Sequence, residues 1–185
     1  MPTYTIIAGV NGVGKSSLSG VLKSERNDLG YIIDVDKISK DKQCSQIEAG
    51  KTAISKADYF LAKEMSFSQE TTLSGFRTER VVKLAKGKGY NVCLFYIGLN
   101  TAQESMNRIK NRVEKGGHNI DAADVVRRHS KRFEDLAKVL PYCDEARFFD
   151  NENGFVEVGE FKNGELIPKG DYRPDWFAEL TGKLL

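Results

Sequence analysis

At 185 residues, with 40% hydrophobic and 29% charged side chains, the chain has the size and composition of one globular domain with a sizeable core. A net charge of +2 gives no global electrostatic reason to expect a nucleic acid or an anionic membrane as partner, and no apolar run approaches the roughly 20 residues that span a bilayer. Cys44, Cys93 and Cys143 are widely spaced and form no ligand or redox pair, and the first apolar run has no basic leader, so a cytoplasmic protein without a signal peptide is expected.

Residues 3–8 form an apolar run that reads as a buried first strand. It leads into Gly9-Val10-Asn11-Gly12-Val13-Gly14-Lys15-Ser16, the G-x-x-x-x-G-K-S phosphate-binding pattern, and then into a helix-forming stretch ending near residue 25. Three glycines let the backbone curl its N–H groups toward phosphate oxygens, and the following helix presents its positive end. Gly9, Asn11, Gly12, Val13, Gly14, Lys15, Ser16 and Ser17 are therefore the expected binding set for ATP. Lys15 is expected to reach the β- and γ-phosphates, and the Ser16 hydroxyl to ligate Mg2+.

Residues 27–30 read as a turn and 31–33 as a short second strand, which delivers Asp34-Val35-Asp36 at its carboxyl end. Ligands of open parallel sheets sit at that edge. Asp36 is the candidate base for an attacking hydroxyl, and Asp34 the candidate to orient a metal-bound water or Lys15. Both also suit a helix cap. Residues 37–63 are helical but polar, and one or two helices there are expected to form a cap at 40–65 over the substrate side. Residues 66–69 read as a third strand delivering Glu70-Thr71-Thr72, where a carboxylate and a hydroxyl suit polar groups of a substrate. A helix over 76–86 ends at Gly87 and Gly89, and 91–97 is a fourth strand.

Residues 101–115 and 121–140 read as two helices parted by Gly116-Gly117, giving a lid over 105–132 that carries Arg108, Arg112, His118, Arg127, Arg128 and Arg132. Planar guanidinium groups bind phosphate oxygens bidentately, and Arg112 and Arg128 are the favoured pair. His118 follows the two glycines and is a candidate substrate contact, whereas His129 lies in an apolar helical stripe and is expected in the core. A fifth strand over 145–149 ends in Asp150-Asn151, expected to flank the adenine. Residues 155–168 alternate around Asn163-Gly164, a hairpin signal, and a final helix over 175–184 follows. The hairpin is expected to cover a sheet edge. Strands alternating with helices give a single α/β domain over 1–185. Five strands with a phosphate loop after the first lead to the expectation of a P-loop NTPase of the nucleoside-monophosphate-kinase type, with a five-stranded parallel sheet, a helical cap and a helical lid.

Taken together, Gly9 to Ser16, Asp34-Val35-Asp36, the run Glu70-Thr71-Thr72-Leu73-Ser74-Gly75, and Arg112, Gly116-Gly117-His118 and Arg127-Arg128 resemble the zeta-toxin-like P-loop kinases. The likeness is to the compact branch labelled ABC-type ATPases, over residues 4–150. Zeta toxins move the γ-phosphate of ATP to a hydroxyl of a UDP-activated amino sugar, so the resemblance implies an ATP- and Mg2+-dependent small-molecule kinase. It sets Asp36 where the family keeps its catalytic base, Glu70 and Thr72 where it holds substrate, and Arg112 where it keeps a lid arginine. His118 or Arg128 takes the place of the second lid arginine. Where the toxins carry a further arginine this chain has Ser74, with Arg77 nearest. An antitoxin protein is an implied candidate partner. A transporter-type ATPase does not fit, because Leu73-Ser74-Gly75 is not followed by Gly-Gln, and the Asn-Lys-x-Asp motif of GTPases is absent from the sequence. The rival readings are a nucleotide-gated switch with no acceptor, or a kinase of another alcohol.

Overall fold

The computed structural model describes residues 1–184. Seven strands form one sheet: β1 (Thr3–Ala8), β2 (Tyr31–Ile33), β3 (Phe67–Thr71), β4 (Asn91–Gly98), β5 (Glu145–Asp150), β6 (Val156–Lys162) and β7 (Glu165–Pro168). Their spatial order is β2-β3-β1-β4-β5-β6-β7. The first five in sequence pair in parallel, as expected. The sheet is larger than the five strands expected, because the hairpin around Asn163-Gly164 pairs antiparallel to β5 and extends it. Asn163 (φ 55°) and Gly164 (φ 85°) both take the left-handed conformation that such a tight turn needs.

Among the described residues seven α-helices and a 3-10 turn (Leu140–Tyr142) complete the fold: α1 (Lys15–Glu25), α2 (Val35–Lys42), α3 (Gln46–Ala62), α4 (Arg77–Gly87), α5 (Ala102–Glu114), α6 (Ala122–Val139) and α7 (Asp175–Leu184). Strand side chains alternate between faces. Tyr4, Ile6 and Ala8 of β1, with Val92, Leu94 and Tyr96 of β4, therefore share one core with α3, α4, α6 and α7. Ile7, Phe95 and Ile97 point the other way, onto Leu18 and Leu22 of α1. β1 has no exposed residue, as a central parallel strand covered on both faces requires.

Helix boundaries follow local chemistry. Ser45 and Glu48 form a capping box at the start of α3, as do Thr101 and Glu104 at α5. Helices α5 and α6 part at Gly116, whose φ of 81° a side chain would resist, and Asp121 caps α6. On the far side, Trp176 is buried against Gly98, where an added Cβ would lie 2.2 Å from the indole.

Candidate active site

β1 ends at the root of the phosphate loop, beside β3 and β4. Gly9 (φ 143°), Gly12 (φ 79°) and Gly14 (φ 98°) all lie in backbone regions that favour glycine. A Cβ on them would come within 2.3 Å of the Ile97 carbonyl oxygen, 2.8 Å of that of Ser105, and 2.6 Å of Asn151 Nδ2, respectively. The loop is thus clamped by β4, α5 and the end of β5. Gly14 is the N-cap of α1 and supplies no side-chain cap, and the first turn holds no acidic residue, which leaves the positive end of the helix for an anion.

Lys15 Nζ donates to the Gly9 and Val10 carbonyl oxygens at 2.9 and 3.0 Å. Burial lowers its pKa to about 8, against the opposing pull of the Glu70, Asp36 and Asp34 carboxylates. Asn11 Oδ1 accepts from Arg128 Nη1 at 2.9 Å, and the Val13 carbonyl from Asn151 Nδ2 at 2.7 Å, while Ser16 and Ser17 open to solvent.

The loop opens onto a cleft of about 460 Å3 whose lining includes Lys15, Asp36, Glu70, Thr72 and Arg128. An adjoining cleft joins Ser16, Asp34 and Asp36 to Arg112 and His118. The sequence-predicted residues therefore converge. Their individual contacts differ from one another in kind. Asp34 is the N-cap of α2, its Oδ1 accepting from the backbone N–H of Asp36 (2.9 Å) and Lys37 (3.3 Å). Asp36, in the first turn of α2, is exposed and has the looser partners, Gln46 Nε2 at 3.3 Å and Arg112 Nη1 at 3.9 Å. Arg112 Nη2 donates to the His118 carbonyl at 2.8 Å, so His118 ties the lid turn through its backbone while its side chain is exposed. Arg128 bridges Asn11 and Asp124 (3.3 Å). Among the described residues the buried Nε atoms of both arginines have no partner, so each guanidinium keeps a donor free.

Glu70 stands opposite Ile7 in the β1–β3 register. Its two carboxylate oxygens accept from Ser16 Oγ at 2.8 Å and Ser19 Oγ at 2.7 Å, and burial raises its pKa. Thr72 Oγ1 lies 2.8 Å from Ser74 Oγ. Ser19 was not marked by the motif, although its three-residue spacing from Ser16 puts both hydroxyls on one helix face. Arg108 was expected among the basic lid residues. It holds the Asn151 carbonyl oxygen at 2.5 Å and braces the loop from outside.

Two expectations are corrected. The Asp150 carboxylate is not open to the nucleotide side. It is buried and accepts from Trp176 Nε1 (2.8 Å) and the Glu152 N–H (3.0 Å), because α7 packs over the end of β5; only its neighbour Asn151 reaches the loop. His129 is half-buried, not in the core, with Nδ1 3.1 Å from Arg132 Nη1.

A divalent cation fits the donor set, since the Ser16 hydroxyl and nearby carboxylates are hard oxygen ligands. Among the described residues no group of three or more His, Cys, Asp or Glu side chains is placed to hold a metal by itself. That suits Mg2+, which binds through few protein ligands plus substrate phosphates. Among the described residues no helix is long and apolar enough to cross a membrane.

No family model matches the chain. An uncharacterized protein of Haemophilus influenzae is 36% identical over 124 residues, which is 64% of this chain and 86% of that protein. Among solved structures, the whole chain superposes on a chain of the AvrRxo1-ORF1:AvrRxo1-ORF2 complex with a TM-score of 0.67 and 18% identity, and the same match is found in that complex with ATP. The chain spans 63% of that neighbour's length. It also covers 86% of a chain of the PezAT toxin–antitoxin system of Streptococcus pneumoniae, with a TM-score of 0.62 and 16% identity. At such identities the structural likeness is one of fold.

Proposed function

We propose that the chain, which resembles the zeta-toxin-like P-loop kinases in its motifs, shares their fold and belongs to one family with its Haemophilus influenzae relative, is an ATP-dependent kinase moving the γ-phosphate to a hydroxyl of a small molecule. The observation that carries this reading is the shared cleft: Lys15 of the phosphate loop and the exposed Asp36 carboxylate line the same cavity, with Arg128 beside them. Phosphoryl transfer asks little of a protein beyond charge neutralisation and a positioned nucleophile.

Lys15 holds the β- and γ-phosphates once it leaves its own loop carbonyls. Asp36 accepts the proton of the acceptor hydroxyl as the new O–P bond forms and the bond to the β-phosphate oxygen breaks, releasing ADP. Mg2+ would be held by Ser16 together with the phosphates, with Asp34, the N-cap of α2, beside it, and would supply further charge neutralisation. Arg112 and Arg128 close on the transferring group with the donors that remain free. Thr72 and His118 contact the acceptor, and Glu70 reaches the same cleft from the side of Ser16. A UDP-amino sugar is the acceptor favoured by the resemblance. An antitoxin partner is supported by the fold shared with the PezAT chain. A cytoplasmic location agrees with a reaction that consumes ATP.

The test is transfer from ATP with Mg2+ to a panel of UDP-sugars, free sugars and nucleosides. Lys15→Ala should abolish transfer and weaken ADP binding. Asp36→Asn should lower kcat by about 10²- to 10⁴-fold, the worth of a general base. It should spare ADP affinity, because the carboxylate touches only half-exposed partners. ATP hydrolysis without transfer, indifferent to Asp36, would replace the kinase with a nucleotide-gated switch.

A further inference from the structure

We propose that His118 is a self-phosphorylation site: with no acceptor in the cleft, the chain moves the γ-phosphate of its own nucleotide onto the His118 imidazole. This rests on the nucleotide-binding part of the function proposed above, and not on any small-molecule acceptor.

Three observations carry it. First, the histidine borders the path of a transferring phosphoryl group. It lines a cleft of about 610 Å3 together with Ser16, in the first turn of α1, and Arg112. It also lines a second cleft, of about 280 Å3, together with Asn11 of the phosphate loop and Arg128. His118 thus shares a cleft with each of the two arginines that would clasp the γ-phosphate. The turn before it is built for close approach. A Cβ on Gly117 would lie 2.5 Å from Arg112 Cγ, so the chain folds directly back onto the arginine, whose Nη2 holds the His118 carbonyl oxygen at 2.8 Å.

Secondly, the imidazole is a free nucleophile, and histidine is one of the side chains that form covalent intermediates. Among the described residues neither ring nitrogen of His118 has a hydrogen-bond partner, and the side chain is exposed. The hydroxyls of the same cleft are engaged: Ser16 Oγ donates to Glu70 at 2.8 Å, and Ser39 Oγ to the Cys44 carbonyl oxygen at 2.7 Å. His129, the other histidine of the sequence, has Nδ1 3.1 Å from Arg132 Nη1 and a buried Nε2. Thirdly, the cleft can hold the product. Lys37 and Lys40 of α2 line it beside Arg112. Of its two carboxylates, Asp34 has Oδ1 committed to the α2 backbone and Asp36 already faces Arg112 at 3.9 Å. Three cations against two carboxylates leave charge to neutralise a phosphoryl group on the ring.

In the step itself, the lone pair of one ring nitrogen attacks the γ-phosphorus while the other nitrogen keeps its hydrogen. The N–P bond forms as the bond from phosphorus to the β,γ-bridging oxygen breaks, and ADP leaves with that electron pair. No further reactant is needed, and excess ADP runs the step backwards. The experiment is incubation with γ-labelled ATP and Mg2+, and no acceptor, of the unsubstituted chain, His118→Gln, His129→Gln and Lys15→Ala. ADP binding is measured on each by titration calorimetry. The unsubstituted chain should take up label that survives alkali and is released by acid, as a phosphoryl group on imidazole is and a serine or threonine phosphoester is not. Excess ADP should strip the label, and peptide mapping at neutral pH should place it on His118. His118→Gln should lose the label while still binding ADP, His129→Gln should keep it, and Lys15→Ala should lose it. The labelling rate per chain should not change with protein concentration, because nucleotide and histidine belong to one molecule.

Label that resists acid, label that persists in His118→Gln, or a rate per chain that rises with protein concentration would each overturn the assignment. So would ADP binding by the unsubstituted chain without any label. Absence of ADP binding would overturn the nucleotide reading and this site with it. Label on the chain without transfer to any small molecule would leave the site standing and remove only the acceptor.

Discussion

The bond between Trp176 and Asp150 is the point at which the last helix holds the nucleotide loop, and its loss should be measurable. Trp176 is 1% exposed and its Nε1 donates to Asp150 Oδ1 at 2.8 Å; Asp150 is itself 2% exposed. In Trp176→Phe the carboxylate would keep the Glu152 N–H and the more distant Tyr172 hydroxyl at 3.4 Å. A hydrogen bond to a charged group contributes about 1.5–3 kcal/mol. Replacing indole by phenyl in a filled site removes a further ~1–2 kcal/mol of burial and leaves a small void. Together these predict a loss of about 2.5–5 kcal/mol, or a fall of roughly 5–20 °C in Tm for a chain of this size. The assay is thermal unfolding by circular dichroism of Trp176→Phe, Asp150→Asn and the double variant. Because Asp150→Asn removes the stranded carboxylate, the double variant should lose less than the sum of the two, by about 1.5–3 kcal/mol. ADP affinity should fall as well, since Asn151, next in sequence, holds the Val13 carbonyl of the loop. Additivity within about 0.5 kcal/mol, or a Tm drop of less than about 3 °C, would refute the reasoning.

Gly14→Ala should weaken ADP binding by at least about tenfold, because a Cβ at φ 98° is strained and would sit 2.6 Å from Asn151 Nδ2. Titration calorimetry checks this, and unchanged affinity would show that the loop can relax around the methyl group. Burial first, and then the Arg132 guanidinium, lowers the pKa of His129. The other groups bearing on it are the Leu99 backbone, Glu179 and Glu104. A base depressed in the folded state contributes stability that is complete above its unfolded value of about 6.5 and is lost as pH falls below it. Denaturant melts of the unsubstituted chain between pH 8 and pH 5, set against His129→Gln, should show the extra loss on acidification only where the histidine is present. Parallel curves would remove His129 from the account.

Much of this fold could be read from the sequence because local signals agreed with the global arrangement. The glycine loop, the apolar runs of β1 and β4, and the break at Gly116-Gly117 each place an element to within a few residues of where it lies. The hairpin was legible as a hairpin, but its pairing partner was not, since a strand's own pattern does not say which edge it joins. Asp150 was misread for a related reason. A carboxylate at the end of a strand looks available until a residue 26 positions later, Trp176, is known to fold back over it.

The carboxylates around the cleft show what separates a role that the sequence can reveal from one that it cannot. Asp34, Asp36 and Glu70 all sit at strand ends, and position alone makes them equivalent candidates. What separates them is the company each oxygen keeps. Asp34 has an oxygen committed to the α2 backbone, Glu70 is held by two serine hydroxyls of α1, and Asp36 has a long contact to Gln46 and a longer one to Arg112. A base must be free to gain a proton from an incoming group, a cap need not be, and a group supporting a metal is best held still. By that criterion the least satisfied of the three, Asp36, is the one suited to proton transfer. The most tightly held, Glu70, is suited to the metal side. If Asp36→Asn and Glu70→Gln were to show the same profile, both losing turnover and neither changing the gain in ADP affinity that Mg2+ brings over EDTA, this division of labour would fail even though the kinase itself stood.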